Sequence, residues 1–357
     1  MRIGIDAREL CGRPTGVGRY LSGLLAEWAR DDRARRHDFV LYAPEPLAIG
    51  LDARRFATRI VSGVAGTWWE QRRLPVVAGD DHLDAFLSPA YTAPLFLRVP
   101  VVVAIHDLSF AAHPEWFSIR EGLRRRWLSR RSAAKARAII TISEFSRREL
   151  IEHFAVPESR IHVIPPGITA PVPAAARAAA KVLYVGSIFN RRRVPDLIRA
   201  FAPVARSHAD ASLEIVGDNR SHPRQDLAQT IERAGLNGRV RWREYVDDDE
   251  LSALYASSRA FGFLSEYEGL GLTPLEALAA GVPGVLLDTA VAREACGEAA
   301  LYVAAGDIPA TTRALEQLLF DETARARLLA AAPGALARYS WPHAARETLN
   351  VIEMSAR

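Results

Sequence analysis

The most informative segment of the chain reads Ser265-Glu266-Tyr267-Glu268-Gly269-Leu270-Gly271-Leu272-Thr273-Pro274-Leu275-Glu276. It follows the apolar run 259–264, which predicts a buried strand. Thr273 is a suitable helix cap, and Pro274 suits a first helical turn. A strand, a glycine loop and a helix N-terminus in succession favour an anion site, because free amide groups and the helix dipole converge there.

Two carboxylates bracket this predicted anion site. Glu268 and Glu276 lie eight residues apart, a spacing that suits a ligand with both phosphate and hydroxyl groups. A structural alternative is a capping box, in which Thr273 caps the helix and Glu276 ties down its first turn. The whole segment resembles the E-x7-E segment of retaining glycosyltransferases of family four, which have the GT-B fold.

Bulk properties predict a globular protein of two domains. The chain has 357 residues, of which 49% are hydrophobic, and no apolar run approaches the roughly 18 residues of a membrane helix. The start, Met1 to Asp6, lacks the features of a signal peptide. Cys11 and Cys296 lie too far apart in sequence to indicate a disulfide framework, so we expect a cytoplasmic protein.

Strands and helices alternate twice along the chain, which predicts an α/β fold with two doubly wound parallel-sheet, Rossmann-like domains facing a cleft. We expect an N-terminal acceptor-side domain at 1–165 with 342–357 crossing back to it, a Pro- and Ala-rich linker at 166–180, and a nucleotide-sugar-binding domain at 181–341. Ligands of such sheets bind at the carboxyl ends of the strands, and the cleft between two domains is the natural site.

A glycine-rich turn follows the first strand. Gly16 and Gly18 lie where a helix opens, a position suited to a phosphate or to a tight turn. Leu21 occupies the third glycine position of a dinucleotide fingerprint, which disfavours a dehydrogenase. In the family that the chain resembles, these glycines abut the donor diphosphate.

Three arginines follow the first strand of the second domain, within Gly186-Ser187-Ile188-Phe189-Asn190-Arg191-Arg192-Arg193. Guanidinium forks match phosphate oxygens, although a solvated helix start is the alternative. The resemblance places Arg192 at the position of a diphosphate-binding Lys. Ser187 stands where many relatives have Arg, so Arg191 or Arg193 is expected to share that role.

His106 ends a strand of the first domain beside Asp107. A neutral His in this place can orient a hydroxyl or move a proton, and a structural role is the alternative. In relatives, a His here contacts the donor sugar. Further along, Ser143 is expected to cap a helix on which Ser146 faces outward.

The resemblance implies a site with named roles. The predicted catalytic residues are His106, Arg192 and Glu268. The predicted donor-binding residues are Gly16, Gly18, Ser187, Arg191, Arg192, Gly269, Leu270, Gly271, Leu272 and Glu276. The family is thought to retain configuration by front-face attack, in which the leaving phosphate accepts the acceptor's proton. We expect no cofactor and no metal, because no D-x-D stands in a loop and Asp247-Asp248-Asp249 reads as a helix cap.

The basic excess of the chain lies in its first half. Residues 1–165 hold 25 Lys+Arg and 19 Asp+Glu, a balance of +6; the remainder holds 46 − 25 = 21 and 42 − 19 = 23, a balance of −2. The stretch from Ile119 to Arg137 carries seven Arg, one Lys and Trp127. This pattern suits an anionic membrane surface, and a solvated helix face is the alternative.

The sequence therefore predicts a transferase that moves a hexose from a nucleotide-diphosphate sugar to a glycan or lipid-linked oligosaccharide. The segments His106 to Phe110 and His113 to Phe117 look like those of mannosyltransferases that build surface polysaccharides, which favours GDP-mannose. The expected partners are the nucleotide sugar, the acceptor and an anionic inner membrane face, with no nucleic acid. The alternatives are a nucleotide-sugar epimerase and a non-catalytic sugar-nucleotide-binding partner protein.

Overall fold

The structure is a computed structural model that describes residues 1–12, 16–169 and 180–357. The described residues form two compact units, one of Met1–Gly167 with Tyr339–Arg357 and one of Ile168–Arg338. Each unit holds one parallel sheet, which confirms the predicted fold class. Most of the predicted linker 166–180 lies outside the described residues, at 170–179.

The first unit is built on a seven-stranded parallel sheet in the order β3-β2-β1-β4-β5-β6-β7. Its strands are β1 Arg2–Asp6, β2 Asp38–Ala43, β3 Phe56–Ile60, β4 Ala85–Ser88, β5 Val101–Ala104, β6 Ala138–Thr141 and β7 Ile161–Val163. Its helices within 1–167 are α1 Gly16–Arg30, α2 Leu74–Gly79, α3 Ser109–Ala112, α4 Ile119–Lys135 and α5 Glu144–Phe154. The strand order reverses between β1 and β4, where such sheets bind ligands.

Both faces of this sheet are buried, because alternate residues of one strand point to opposite sides. Phe39 and Leu41 of β2 pack with Leu21 of α1 in one core. Val40 and Tyr42 of the same strand enter the other core. Continuous apolar runs are typical of strands buried on both faces, which explains why the sequence indicated them.

The second unit has a six-stranded parallel sheet in the order β10-β9-β8-β11-β12-β13. Its strands are β8 Lys181–Val185, β9 Ser212–Val216, β10 Val240–Arg243, β11 Ala260–Phe263, β12 Gly284–Leu287 and β13 Ala300–Val303. Its helices are α6 Val194–Ser207, α7 Leu227–Arg233, α8 Asp248–Ser257, α9 Leu272–Ala279, α10 Ala290–Cys296, α11 Ile308–Phe320 and α12 Glu322–Leu336. Here the order reverses between β8 and β11.

The last helix, α13 (Trp341–Ser355), belongs to the first unit. Ser340 caps it, and Leu349 and Ile352 are fully buried in the core shared with α1. Trp28 of α1 donates from Nε1 to the carbonyl of Ala345 at 2.9 Å. The C-terminal segment thus completes the hydrophobic core of the N-terminal one.

The sequence did not indicate the strands β3 and β13. In β3 only Phe56 is buried and the other four residues are exposed. In β13 the two middle residues are partly exposed. Both strands lie at a sheet edge, where a strand needs no long apolar run, so the pattern for a buried strand is absent.

Candidate functional site

The loop after β8 approaches the loop after β9 closely. The backbone of Gly217 lies so near the carbonyl of Gly186 that a Cβ on Gly217 would come within 1.9 Å of its oxygen. Both glycines have positive φ, which other residues rarely adopt. The two glycines therefore allow the carboxyl ends of the adjacent strands β8 and β9 to meet.

Arg192 forms a bidentate pair with Glu268. Its Nε donates to Oε1 at 2.7 Å and its Nη2 to Oε2 at 3.0 Å, while Nη1 donates to the carbonyl of Ser187 at 2.9 Å. Only about 15% of each side chain is exposed. Burial alone lowers the pKa of Arg192, but the carboxylate of Glu268 raises it well above its ordinary value. Ser265 also binds this carboxylate: its Oγ donates to Oε1 of Glu268 at 2.8 Å.

The other two arginines of the run have different surroundings. Arg193 adopts a left-handed conformation (φ 48°), and its guanidinium binds Asp196 at 2.7 Å and also Glu266. The guanidinium of Arg191 lies 4.4 Å from the centre of the Phe189 ring. Arg192 thus contacts the first glutamate of the E-x7-E segment.

The helix α9 starts earlier than the sequence indicated. Gly271, with φ 87°, is the residue before the helix, and no side chain caps it. Thr273 is therefore the second helical residue and Glu276 the fifth, so the predicted capping box is wrong. Glu276 instead accepts a hydrogen bond from the Tyr255 hydroxyl at 3.2 Å. Gly271 places the amide groups near Gly269 to Leu272 at the N-terminus of this helix.

A recess lies beside Glu268, between β11, β12, α9 and α10. Its lining includes Leu270, Leu286 and Val291, so its wall is largely apolar. Cys296 also lines it, and burial raises the pKa of this thiol to about 12, which keeps it protonated. The loop that carries Glu268 is thus packed on an apolar recess.

In the first unit, α1 begins at Gly16, and Thr15 lies outside the described residues. Gly16 is exposed, and an added Cβ would meet no atom within 4 Å, whereas Gly18 is buried. Tyr20, two residues further, meets the ring of His106 edge-on at 4.8 Å between centroids. The glycine turn and His106 are therefore neighbours within this unit.

His106 is 7% exposed, and burial lowers its pKa, so it is neutral at pH 7. Its Nε2 lies 2.8 Å from the carbonyl of Pro89. A carbonyl only accepts, so Nε2 carries the proton and Nδ1 holds the lone pair. Asp107 accepts from Ser109 at Oδ1 and from the Tyr91 hydroxyl at Oδ2, both at 2.7 Å, and these bonds direct both of its oxygens to other residues.

Ser143 caps α5 as expected, with its Oγ accepting from the amide of Ser146 at 3.0 Å. The expectation that Ser146 faces outward is wrong. Ser146 is fully buried, and its hydroxyl donates to the carbonyl of His106 at 3.0 Å. This contact spans 40 residues, which is why helical periodicity alone did not indicate it.

Groups able to bind a metal are sparse around these loops. Among the described residues, the cluster with three ligand atoms within 4.8 Å of one another is Glu149, Glu152 and His153 on α5. It is partly exposed and lies on a different element from the arginine and E-x7-E loops. Asp247, as expected, caps α8 by accepting from the amide of Glu250.

The basic helix α4 presents its charges to solvent. Its exposed arginines are Arg120, Arg124, Arg125, Arg126, Arg130 and Arg131. Trp127 between them is 57% exposed, and Leu128 on the opposite face is buried. None of the helices within the described ranges has the length and apolar character needed to cross a bilayer.

Two family models match the chain: "Glycosyltransferase Family 4" over residues 14–170 and "Glycosyl transferases group 1" over residues 172–334. The O-antigen chain mannosyltransferase B of Escherichia coli is 29% identical over 71% of this chain and 70% of its own length. The glycogen synthase of Mycobacterium tuberculosis (strain ATCC 25618 / H37Rv) is 32% identical over 80% of this chain and 70% of its own length.

Solved structures share the architecture. Anabaena Alr3699/HepE, crystallised in complex with UDP and glucose, matches with a TM-score of 0.78 at 19% identity, over 99% of this chain and all of that one. At this identity the likeness concerns the fold. Together with the family models and the relatives, it leads to one conclusion: the chain belongs to glycosyltransferase family four, the group 1 glycosyl transferases, and has the GT-B fold.

Proposed function

We propose that this transferase moves a hexose, preferably mannose, from a nucleotide-diphosphate sugar to a glycan or lipid-linked oligosaccharide, with retention of configuration. The observation that carries the proposal is the bidentate pair of Arg192 and Glu268. It joins the loop after β8 to the loop before α9, at the switch point of the second sheet. A guanidinium binds phosphate and a carboxylate binds sugar hydroxyls, so the two partners suit the two halves of such a donor.

In this proposal the diphosphate binds Arg192 and the amide groups from Gly269 to Leu272, with the dipole of α9 favouring its charge. Gly16 and Gly18 contribute close backbone approach, as in the resembling family. Ser187 and Arg191 lie in the same loop after β8 as Arg192. Glu276, near the start of α9, binds the ribose hydroxyls.

The chemistry requires a stabilised leaving diphosphate and an oxocarbenium-like transition state. Arg192 stabilises the departing charge, and Glu268 and His106 bind hydroxyls of the transferred sugar. The neutral tautomer of His106, protonated at Nε2, leaves Nδ1 as an acceptor. The leaving phosphate accepts the acceptor's proton in front-face attack, so the mechanism uses no protein nucleophile and no metal.

The sugar and the nucleotide are separate parts of the proposal. Mannose is favoured because one relative is named as an O-antigen chain mannosyltransferase. GDP is the nucleotide we expect with it. HepE was crystallised with UDP and glucose, which makes UDP-glucose the first alternative donor to test.

We further propose a cytoplasmic protein that docks on the inner membrane face through α4. Its exposed arginines and Trp127 have the chemistry of an interfacial helix. Such docking would bring the enzyme to a lipid-linked acceptor.

A thermal-shift panel of GDP, UDP, ADP and dTDP sugars tests the donor, because a ligand that binds the native state stabilises it by mass action. We expect the largest shift with GDP-mannose and turnover only when an acceptor is added. Conversion of the donor without acceptor would indicate an epimerase. Binding without turnover on any glycan acceptor would indicate a non-catalytic partner protein.

A further inference from the structure

A buried charged cluster lies at the carboxyl edge of the first sheet, apart from the residues discussed so far. Asp6, the last residue of β1, and Glu70 are each 1% exposed. The Arg8 Nη2 lies 3.0 Å from Asp6 Oδ2 and donates to Glu70 Oε1 at 2.6 Å. Thr92 donates its hydroxyl to the same Glu70 oxygen at 2.6 Å.

The backbone around this cluster is irregular. Glu70 lies on a π-helical turn, Trp69–Arg73, a form that is rare and often found at functional sites. Tyr91, next to Thr92, has φ 62° although it is not a glycine. Strained backbone of this kind persists where the surrounding structure fixes it, commonly at binding sites.

One buried oxygen beside the cluster, Ser88 Oγ, takes part in no hydrogen bond within the described residues. Ser88 ends β4 and is fully buried. The parallel register pairs Ile5 with Leu87, so Asp6 and Ser88 follow as the next neighbours on the same face. Buried polar atoms normally have partners, so the Ser88 hydroxyl is suited to a hydroxyl group supplied from outside the fold.

The cluster is also unusual in charge. Two carboxylates face one guanidinium, an excess of one negative charge in a buried place. Keeping this excess charge buried costs folding free energy, which apolar residues in the same place would not cost. This balance repels phosphate and matches neutral hydroxyls, which donate to carboxylates and accept from a guanidinium.

We propose that Arg8 and Thr92 bind hydroxyls of an uncharged sugar residue of the acceptor, and that Asp6 and Glu70 are positioning residues that hold Arg8. The inference rests on the proposed glycosyl transfer. Arg8 and Thr92 are the members of the cluster that reach solvent, with 9% of the Arg8 side chain exposed. Glu70 then acts through Arg8, by fixing the direction of the guanidinium.

The test measures transfer from GDP-mannose and UDP-glucose to octyl α-mannoside and to mannose 6-phosphate, with GDP and UDP affinity measured separately by calorimetry. We expect the uncharged glycoside to be the better acceptor. Arg8→Gln should raise the KM for octyl α-mannoside about tenfold or more. Arg8→Lys should raise this KM less, and Glu70→Gln should raise it by an amount between the two. The affinity for nucleotide should stay within about twofold of the wild type.

Glu353→Gln is the matched control, because Glu353 pairs with Arg33 and His37 elsewhere in the same unit. It removes a partly buried carboxylate that also binds an arginine, and should leave the acceptor KM unchanged. The proposal is overturned if mannose 6-phosphate is preferred, if octyl α-mannoside is not used, or if the Arg8 variants change only stability or nucleotide affinity. Wild-type protein that binds no nucleotide sugar would instead refute the proposed function itself.

Discussion

The substitution Glu268→Gln separates the two roles proposed for the Arg192 pair. Nε and Nη2 of Arg192 both donate to the Glu268 carboxylate, at 2.7 and 3.0 Å. A diphosphate must compete with this carboxylate for the same guanidinium edge. Glutamine keeps the shape and one acceptor oxygen, but removes the charge and the second hydrogen bond.

A hydrogen bond to a charged group contributes roughly 1.5–3 kcal/mol. Releasing one such bond in free Glu268→Gln should therefore tighten nucleoside diphosphate binding by about ten- to a hundredfold. Turnover should fall at the same time, because the proposed contact with the transferred sugar is weakened. The expected result is thus a variant that binds GDP or UDP better and transfers worse.

Calorimetric titration with GDP and UDP, beside initial rates with the corresponding sugars, measures both effects. Glu266→Gln is the control, since it loosens Arg193 without touching Arg192. Unchanged or weaker nucleotide affinity in Glu268→Gln would refute the reasoning, because Arg192 would then not be the group that meets the diphosphate. Arg192→Ala should lower both affinity and turnover, and by more than Arg191→Ala.

Further measurements test the remaining parts of the site. Glu276→Gln should weaken nucleotide binding about ten- to a hundredfold by the loss of a charge-assisted hydrogen bond. Unchanged affinity would mean that Glu276 binds the Tyr255 hydroxyl and not the nucleotide. Changing three exposed arginines of α4 to Glu should reduce co-sedimentation with anionic vesicles, and wild-type binding should fall as salt rises; equal binding to neutral vesicles would contradict docking by charge. The triple variant carries Arg124→Glu, Arg126→Glu and Arg130→Glu. Chelation by EDTA should leave turnover unchanged, and loss of activity that Mg²⁺ or Mn²⁺ restores would show a metal requirement. Burial, opposed by Arg8, raises the pKa of Asp6 to about 6, above its unfolded value near 4. Its protonation therefore stabilises the fold fully below pH about 4, and this contribution is lost as the pH rises through about 6. Relative to Asp6→Asn, the wild type should gain up to about 3 kcal/mol between pH 7 and pH 4, measured by thermal unfolding; parallel pH curves for the two proteins would show that Asp6 does not titrate in this range.

Sequence reasoning located the loops of the second unit because their signals are local. The strand β11, Gly271 and the start of α9 follow one another closely in the sequence. Glycine adopts positive φ readily, so a glycine after a predicted strand indicates a loop. The exact start of α9 was wrong because Thr273 and Pro274 fit two neighbouring registers equally well, and only the backbone at Gly271 distinguishes them.

Other contacts could not be predicted because they join residues distant in sequence. Arg8 and Glu70 are 62 residues apart, and Ser146 reaches the carbonyl of His106 across 40. The separate residues did not indicate a site: Glu70 stands in a segment notable for its Trp and Arg residues, and Arg8 is one of many arginines. Such clusters become visible only when the carboxyl ends of several strands are brought together.

The position of α13 has a consequence for synthesis on the ribosome. The segment 168–338 lies between two parts of the first unit, and Leu349 and Ile352 complete that unit's core. Residues 1–167 are synthesised before α13, so Trp28 can donate to the carbonyl of Ala345 only once that helix has been made. We expect the inserted unit to fold before the first unit is complete, and loss of α13 to leave the first unit with an incomplete core.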